Sequence, residues 1–149
     1  MKIYIDADHN GFEFKQALID DLRRSGYEVI DVGTKKLDPT DDFPVAASNV
    51  VHELLASDDK DAKGILICGS GQGVCIAANR FKGIRASLCW DNREAKAARN
   101  DDDSNVLCLP ARMLSLDKAK VITHVWLTTP FAGAARFKRR IAELDELGS

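Results

Sequence analysis

The chain has 149 residues, 45% of them hydrophobic and 30% charged, with a formal net charge of −2. This is the length and mix of one domain able to bury its own core, and it excludes a disordered chain. The near-neutral balance argues against a general nucleic-acid or anionic-membrane binder, and no apolar run approaches the roughly 20 residues a membrane span needs. Asp6 and Asp8 stand where a secretory signal would be apolar, so the expected location is the cytoplasm.

Residues 2–7 are β-prone and stop at Asp8-His9-Asn10-Gly11. Phe14, Leu18 and Leu22 then recur at helical spacing up to Ser25-Gly26. Residues 27–32 form a second strand, stopped by Gly33, and residues 34–42 form a polar loop containing Pro39. A helix over 43–55 carries the stripe Ala47, Val50, Val51, Leu54 and Leu55. Gly64-Ile65-Leu66-Ile67-Cys68 is a continuous apolar run, the mark of a central parallel strand covered on both faces.

After Gly69-Ser70-Gly71-Gln72-Gly73 the spacing predicts a helix over 74–80, a strand over 84–88 and a helix over 91–100. Asp101-Asp102-Asp103 reads as a polar loop without the regular ligand spacing of a metal site. A fifth strand is expected over 105–109 and a helix over 115–127, with Leu116, Ala119, Ile122 and Trp126 inward. Phe137, Ile141, Leu144 and Leu147 form the stripe of a last helix within about 133–147. Five strands alternating with helices predict a three-layer α/β/α sandwich around a five-stranded parallel sheet, Rossmann-like, with ligands bound beyond the carboxyl ends of the strands.

Two loops at such ends could carry chemistry. The glycine loop lacks the Lys-Ser/Thr ending of a triphosphate-binding loop, and its GxGxG spacing matches a dinucleotide fingerprint poorly. Its glycines let backbone amides turn inward as an anion or oxyanion cradle; the plain alternative is a tight β–α turn. Cys68 opens this loop. Neighbouring N–H groups and a helix start are expected to lower its pKa, making it a nucleophile or a general base, unless it is an inert strand-end residue. Cys75, Cys89 and Cys108 are expected in the core, and no CxxC pair exists. Ser70 offers a hydroxyl to the same reacting atom. At the other loop Asp8-His9 is an acidic-histidine pair, whereas His52 and His124 lie inside amphipathic helices and are read as packing or surface residues. Arg136 and Arg140, four apart, share a helix face and suit a phosphate clamp, or else simply a solvated basic face.

Asp8-His9-Asn10-Gly11, Gly26 through Thr34, Gly64 through Gly73 with Ile76-Ala77-Ala78-Asn79-Arg80, Gly83-Ile84-Arg85-Ala86, Asn105-Val106-Leu107 and Arg136-x-x-x-Arg140 follow one another in order. Together they resemble the ribose-5-phosphate isomerase type B family, which also contains the subunits of galactose-6-phosphate isomerase. The resemblance covers nearly the whole chain and is most specific in the glycine loop. It implies a metal-independent, cofactor-free aldose–ketose isomerase of a sugar phosphate, with ribose 5-phosphate as the default substrate and an enediolate intermediate. Cys68 matches the base that moves the proton between C1 and C2. A glutamate used in another branch is Val74 here. Ser70 matches a hydroxyl that assists proton movement at the oxygens, and Gly69, Gly71, Gln72 and Gly73 belong to the oxyanion-holding loop. His9, Arg136 and Arg140 match phosphate ligands, and Asp8 and Arg112 further substrate contacts. The family also implies a homodimer or homotetramer with sites shared between subunits and the last helix packed on a partner.

Three positions depart from the family. Its ring-opening histidine and the following asparagine are Asp101 and Asp102 here, and a second histidine is Phe137. Three expectations follow. Asp101 replaces the histidine; or the substrate is another sugar phosphate, such as a four-carbon one that forms no normal furanose ring; or the chain is a non-catalytic sugar-phosphate-binding subunit. Retention of Cys68, Ser70, His9 and both arginines speaks against the last.

Overall fold

In a computed structural model that describes residues 1–148, five strands and six helices alternate along the chain. The strands are β1 (Lys2–Ala7), β2 (Glu28–Asp31), β3 (Lys63–Cys68), β4 (Ala86–Leu88) and β5 (Val106–Pro110). The helices are α1 (Phe12–Arg24), α2 (Phe43–Ala56), α3 (Gln72–Ala78), α4 (Asn92–Asp102), α5 (Leu116–Thr128) and α6 (Ala135–Asp145). All strand pairs are parallel, in the order β2-β1-β3-β5-β4. The expected three-layer α/β/α arrangement is therefore present.

Side-chain alternation along the strands divides the core into two layers. Ile3, Ile5, Ile65, Ile67, Leu107 and Leu109 face α1, α4 and α5. Tyr4, Leu66, Cys68, Val106 and Cys108 face α2 and α3. The central position of β3, between β1 and β5, explains why all six of its residues are buried and why the five after Lys63 form a continuous apolar run. Helix starts follow local chemistry. Pro44 lies in the first turn of α2, and the Asp91 and Ser115 side chains accept the Glu94 and Lys118 amides to cap α4 and α5.

Three spans differ from the sequence reading by two residues, and one of them is α3, which starts at Gln72 and ends at Ala78 instead of covering 74–80 because the chain turns into the helix at left-handed Gly71. Helix α4 does not stop at Asn100 but runs through Asp101 and Asp102, and Asp103 caps it in the left-handed region at φ 47°. Arg99 pairs with the Asp103 carboxylate at 2.8 Å, and Arg85 donates to the Asp102 and Asp103 carbonyls at 3.0 and 2.9 Å. These bonds hold a last turn that three aspartates would leave frayed. The aspartate run is thus a helix end, not a loop. Strand β4 begins at Ala86 instead of Ile84, because the Asn79 side chain accepts the Ala86 amide and Asn105 accepts the Arg85 amide, fixing the entry as a turn.

The carboxyl end of the sheet rests on a buried charge group. Lys15 of α1 is fully buried, with its Nζ 3.1 Å from Asp31 and 3.5 Å from Asp6, and it donates to the Thr34 carbonyl at 3.0 Å. Asp6 also accepts the Asn49 side chain at 3.1 Å. Burial pushes the Asp6 carboxyl up; at Asp31 burial is outweighed by the Gly33 amide and Lys15, which hold it down. Among the described residues, no helix is long and apolar enough to cross a membrane.

Candidate active site

At the carboxyl ends of β1, β3 and β5 three loops are tied to one another. The Asp8 amide donates to the Ile67 carbonyl at 3.2 Å, and the Ala111 and Arg112 amides donate to Cys68 and Gly69 at 2.9 Å each. Asp8 is buried, and its carboxylate accepts the Asn10 amide at 2.9 Å, closing the turn before α1. Gly11 ends this turn where a Cβ would come within 2.6 Å of the Ile67 carbonyl oxygen, so only glycine lets the two backbones approach.

Cys68 ends β3 with 5% of its surface exposed. Gly71 follows at φ 74°, where any side chain would collide with Leu88. This left-handed residue turns the chain into α3 and leaves the Ser70 and Gly71 amides without an acceptor among the described residues. Ser70 is exposed and its hydroxyl accepts from the Gln72 amide at 3.4 Å. Arg112 crosses over Gly69, so close that a Cβ there would meet its Nε at 3.1 Å, and its Nη2 donates to Asn10 at 3.0 Å. Cys68, Ser70, the glycine loop, Asp8, His9 and Arg112 thus form one cluster. Beside Ser70 opens a cleft of about 330 Å³ lined by Leu88, Trp90, Pro110, Met113, Leu114 and Lys118.

Several neighbours of this cluster escape sequence reasoning. Asp41, in the polar loop before α2, accepts both the His9 amide and the His9 ring Nδ1 at 2.9 Å. That bond, with Asp8 nearby, raises the His9 pKa above the ordinary histidine value. The Phe43 ring covers Gly73, where a Cβ would come within 2.8 Å of it. Asn10 holds Arg112. Of these, Asn10 stands in the Asp8-His9-Asn10-Gly11 loop that the sequence singles out, the Phe43-Pro44 pair marks a helix start, and Asp41 leaves no signal beyond a polar loop.

Asp101, Asp102, Arg136 and Arg140 lie elsewhere. Helix α4 starts beyond the carboxyl end of β4 and runs back about 16 Å over its 11 residues, so its last turn reaches the amino end of the sheet. The link from α5 to α6 is held there by the Ala132 amide on the Asn100 carbonyl at 3.1 Å. Asp101 accepts the Asn100 side chain at 2.8 Å. Partial burial and the adjacent Asp101 push the Asp102 carboxyl up, while Arg140 and Arg85 oppose them, which puts Arg140 near Asp102. Arg136 and Arg140 are both exposed, and the Arg136 guanidinium stacks 4.4 Å from the Phe137 ring centroid. No hydrogen bond or ion pair among the described residues joins these four to the Cys68 cluster. One chain therefore presents the candidate residues as two groups at opposite ends of its sheet.

The other two histidines pack as their helical positions predict. His52 stacks edge-on against Phe81 at 5.5 Å, and His124 pairs with Asp21 at 2.8 Å. Among the cysteines, Cys89 and Cys108 are buried in the core, and burial pushes the Cys89 thiol up to about 12. Cys75 is half-buried and faces Cys108, whose hydrogen bond brings its pKa down. Val74, at the position of the alternative glutamate base, is fully buried.

The family described as Ribose/Galactose Isomerase matches residues 3–144. Ribose-5-phosphate isomerase B of Escherichia coli is 40% identical over 146 residues, 98% of this chain and 95% of that protein. The crystal structure of a ribose 5-phosphate isomerase from Thermotoga maritima superposes with a TM-score of 0.92 at 41% identity, covering 98% of each chain. Ribose-5-phosphate isomerase B from Mycoplasma genitalium, solved with bound ribulose 5-phosphate, superposes with a TM-score of 0.92 at 37% identity, covering 97% of this chain and 93% of that one. Matched by the family over residues 3–144 and alike to its members in sequence and fold over nearly its whole length, the chain belongs to the ribose/galactose isomerase family.

Proposed function

We propose that the chain interconverts ribose 5-phosphate and ribulose 5-phosphate, with Cys68 as the base. The observation that carries this reading is Cys68 at the mouth of a glycine loop with unpaired amides, tied through Arg112 and Asn10 to the Asp8-His9 turn. The Cys68 thiolate takes the proton from C2 of the aldose. The electron pair moves into the C1–C2 double bond, and the carbonyl oxygen on C1 becomes the enediolate anion. The amides of the Gly69–Gly73 loop stabilise that charge where it develops. The thiol returns the proton to C1, while the Ser70 hydroxyl passes a proton from the oxygen on C2 to the oxygen on C1, giving the ketose. His9, Arg136 and Arg140 bind the phosphate, Asp8, Gln72 and Arg112 hold the sugar, and no metal or cofactor takes part.

The separation of the two groups within one chain supports a site shared between two copies, one offering its carboxyl end and the other its amino end. Helix α6 supports the same reading. It has no buried residue, and its stripe is only partly covered, with Phe137 and Ile141 half-buried and Leu144 49% exposed. A two-fold dimer makes both sites at once. In it Asp101 and Asp102 of the second copy meet the sugar oxygens, and Asp101 is the proton carrier for ring opening.

One feature favours a second reading. A carboxylate at position 101 and a phenylalanine at 137 suit a substrate that needs no ring opening, such as a four-carbon sugar phosphate. Proton exchange in heavy water, followed by NMR with ribose 5-phosphate, erythrose 4-phosphate, allose 6-phosphate and galactose 6-phosphate, decides between them. Deuterium at C2 of ribose 5-phosphate is the expected result; exchange with the four-carbon sugar alone selects the second reading, and exchange with none refutes both.

A further inference from the structure

We infer that Asp41 is a positioning residue that keeps His9 an imidazolium and turns its free Nε2–H into the phosphate donor. The inference rests on the phosphate role proposed above for His9. One carboxylate oxygen of Asp41 accepts two bonds from the same residue, the His9 amide and the ring Nδ1, each at 2.9 Å. The backbone bond fixes where the histidine stands, and the ring bond fixes its tautomer and the plane of the imidazole. The carboxylate is itself placed by its loop. The Asp41 amide donates to the Asp38 carbonyl at 3.3 Å, and the Asp38 side chain accepts the Thr40 amide at 3.0 Å and its hydroxyl at 2.7 Å.

The carboxylates facing His9 are Asp41 in contact, Asp8 beside it in the turn and Asp38 farther along the loop, while Arg112, the cation of the same cluster, donates to Asn10. A histidine near 6.5 would be mostly neutral at pH 7 and would bring no charge to a phosphate. Next to Asp41 it carries its proton to higher pH. The pair is only partly covered, with 35% of the His9 side chain and 28% of the Asp41 side chain exposed, and the ring bond occupies Nδ1 alone, leaving Nε2 without a partner among the described residues. The arrangement sets Asp41 apart from a general loop acid. It touches no reacting atom, and it acts on the substrate only through the histidine.

The test combines NMR titration of the His9 ring with KM and kcat for ribose 5-phosphate across pH, in the whole protein and its Asp41→Asn and Asp41→Glu variants. Asp41→Asn is expected to lower the His9 pKa and to raise KM about tenfold near pH 7.5 with kcat nearly unchanged, the loss of one charge-assisted contact. The pH at which KM begins to rise should move down by the same interval as the His9 pKa, because the substrate phosphate, which titrates near 6, is common to all variants. Asp41→Glu should restore both values in part. Equal thermal melting midpoints exclude a folding defect, and Asp41→Ser offers a second loss of the carboxylate if Asp41→Asn fails to fold. An unchanged His9 pKa in the variants would overturn the inference. A lowered pKa with an unmoved KM profile would overturn the phosphate role of His9 and leave the Asp41–His9 coupling standing.

Discussion

The two ends of this sheet are built in opposite ways. The carboxyl end is a tied structure: backbone bonds join Asp8 to Ile67, Cys68 to Ala111 and Gly69 to Arg112, Gly11 and Gly71 stand where no side chain fits, and the Lys15 charge group lies beneath. The amino end is loosely furnished. Asp102, Arg136 and Arg140 are exposed, and α6 is an amphipathic helix without a buried residue. The proposed roles divide along the same line: the proton-transfer residues and His9 stand at the tied end of one chain, and the two proposed phosphate arginines stand on the exposed end.

The largest expected effect comes from the tied end. Cys68→Ala removes the base and should lower kcat by about 10²–10⁴-fold, with little change in KM or melting temperature, as read from steady-state kinetics and calorimetry. A variant with full turnover would break the assignment of the chemistry to this end. Arg140→Ala, at the other end, should leave each chain folded but raise KM for ribose 5-phosphate by about 10–100-fold, the worth of a charge-assisted pair to phosphate. A change in kcat without a change in KM would move Arg140 out of the phosphate half. Gly71→Ala sharpens the contrast in stability. The left-handed backbone and the collision with Leu88 predict a loss of about 1–3 kcal/mol in denaturant unfolding, together with reduced activity. Glu143→Ala on the exposed face of α6 removes only a solvated pairing with Arg139, and in the same unfolding measurement it should cost almost nothing.

The sequence made the tied end legible because its constraints are local. A run of apolar residues ending in a cysteine and three glycines reports both a buried strand and a tight turn, and both are present. The loose end was legible only by resemblance. Arg136 and Arg140 follow a helical spacing, but nothing in a spacing says what a helix face will meet. The end of α4 was misread because the propensity of three aspartates opposes a helix, while the guanidiniums of Arg85 and Arg99, which hold that end, come from tertiary contacts. Asp41 was invisible for the same reason: it stands 32 residues from the His9 it holds, in a loop whose composition shows only polarity. The sequence sets Cys68 apart at the end of a strand but reads the other three cysteines alike as core, and only the fold brings Cys75 against Cys108 and leaves it half-buried.

Mixing two crippled chains tests the shared site most directly. Cys68→Ala and Arg140→Ala chains, each nearly inactive alone when ribose 5-phosphate is held far below the raised KM of the Arg140→Ala chain, are unfolded, combined in equal amounts, refolded together and assayed at that concentration. If each site takes Cys68 from one copy and Arg140 from the other, every mixed dimer holds one intact site and one doubly damaged site. Random pairing should then restore about a quarter of the native activity. Activity that stays at the level of the separate variants, with mixed dimers shown to form by mass spectrometry, would place both groups in one chain's site and contradict a shared one.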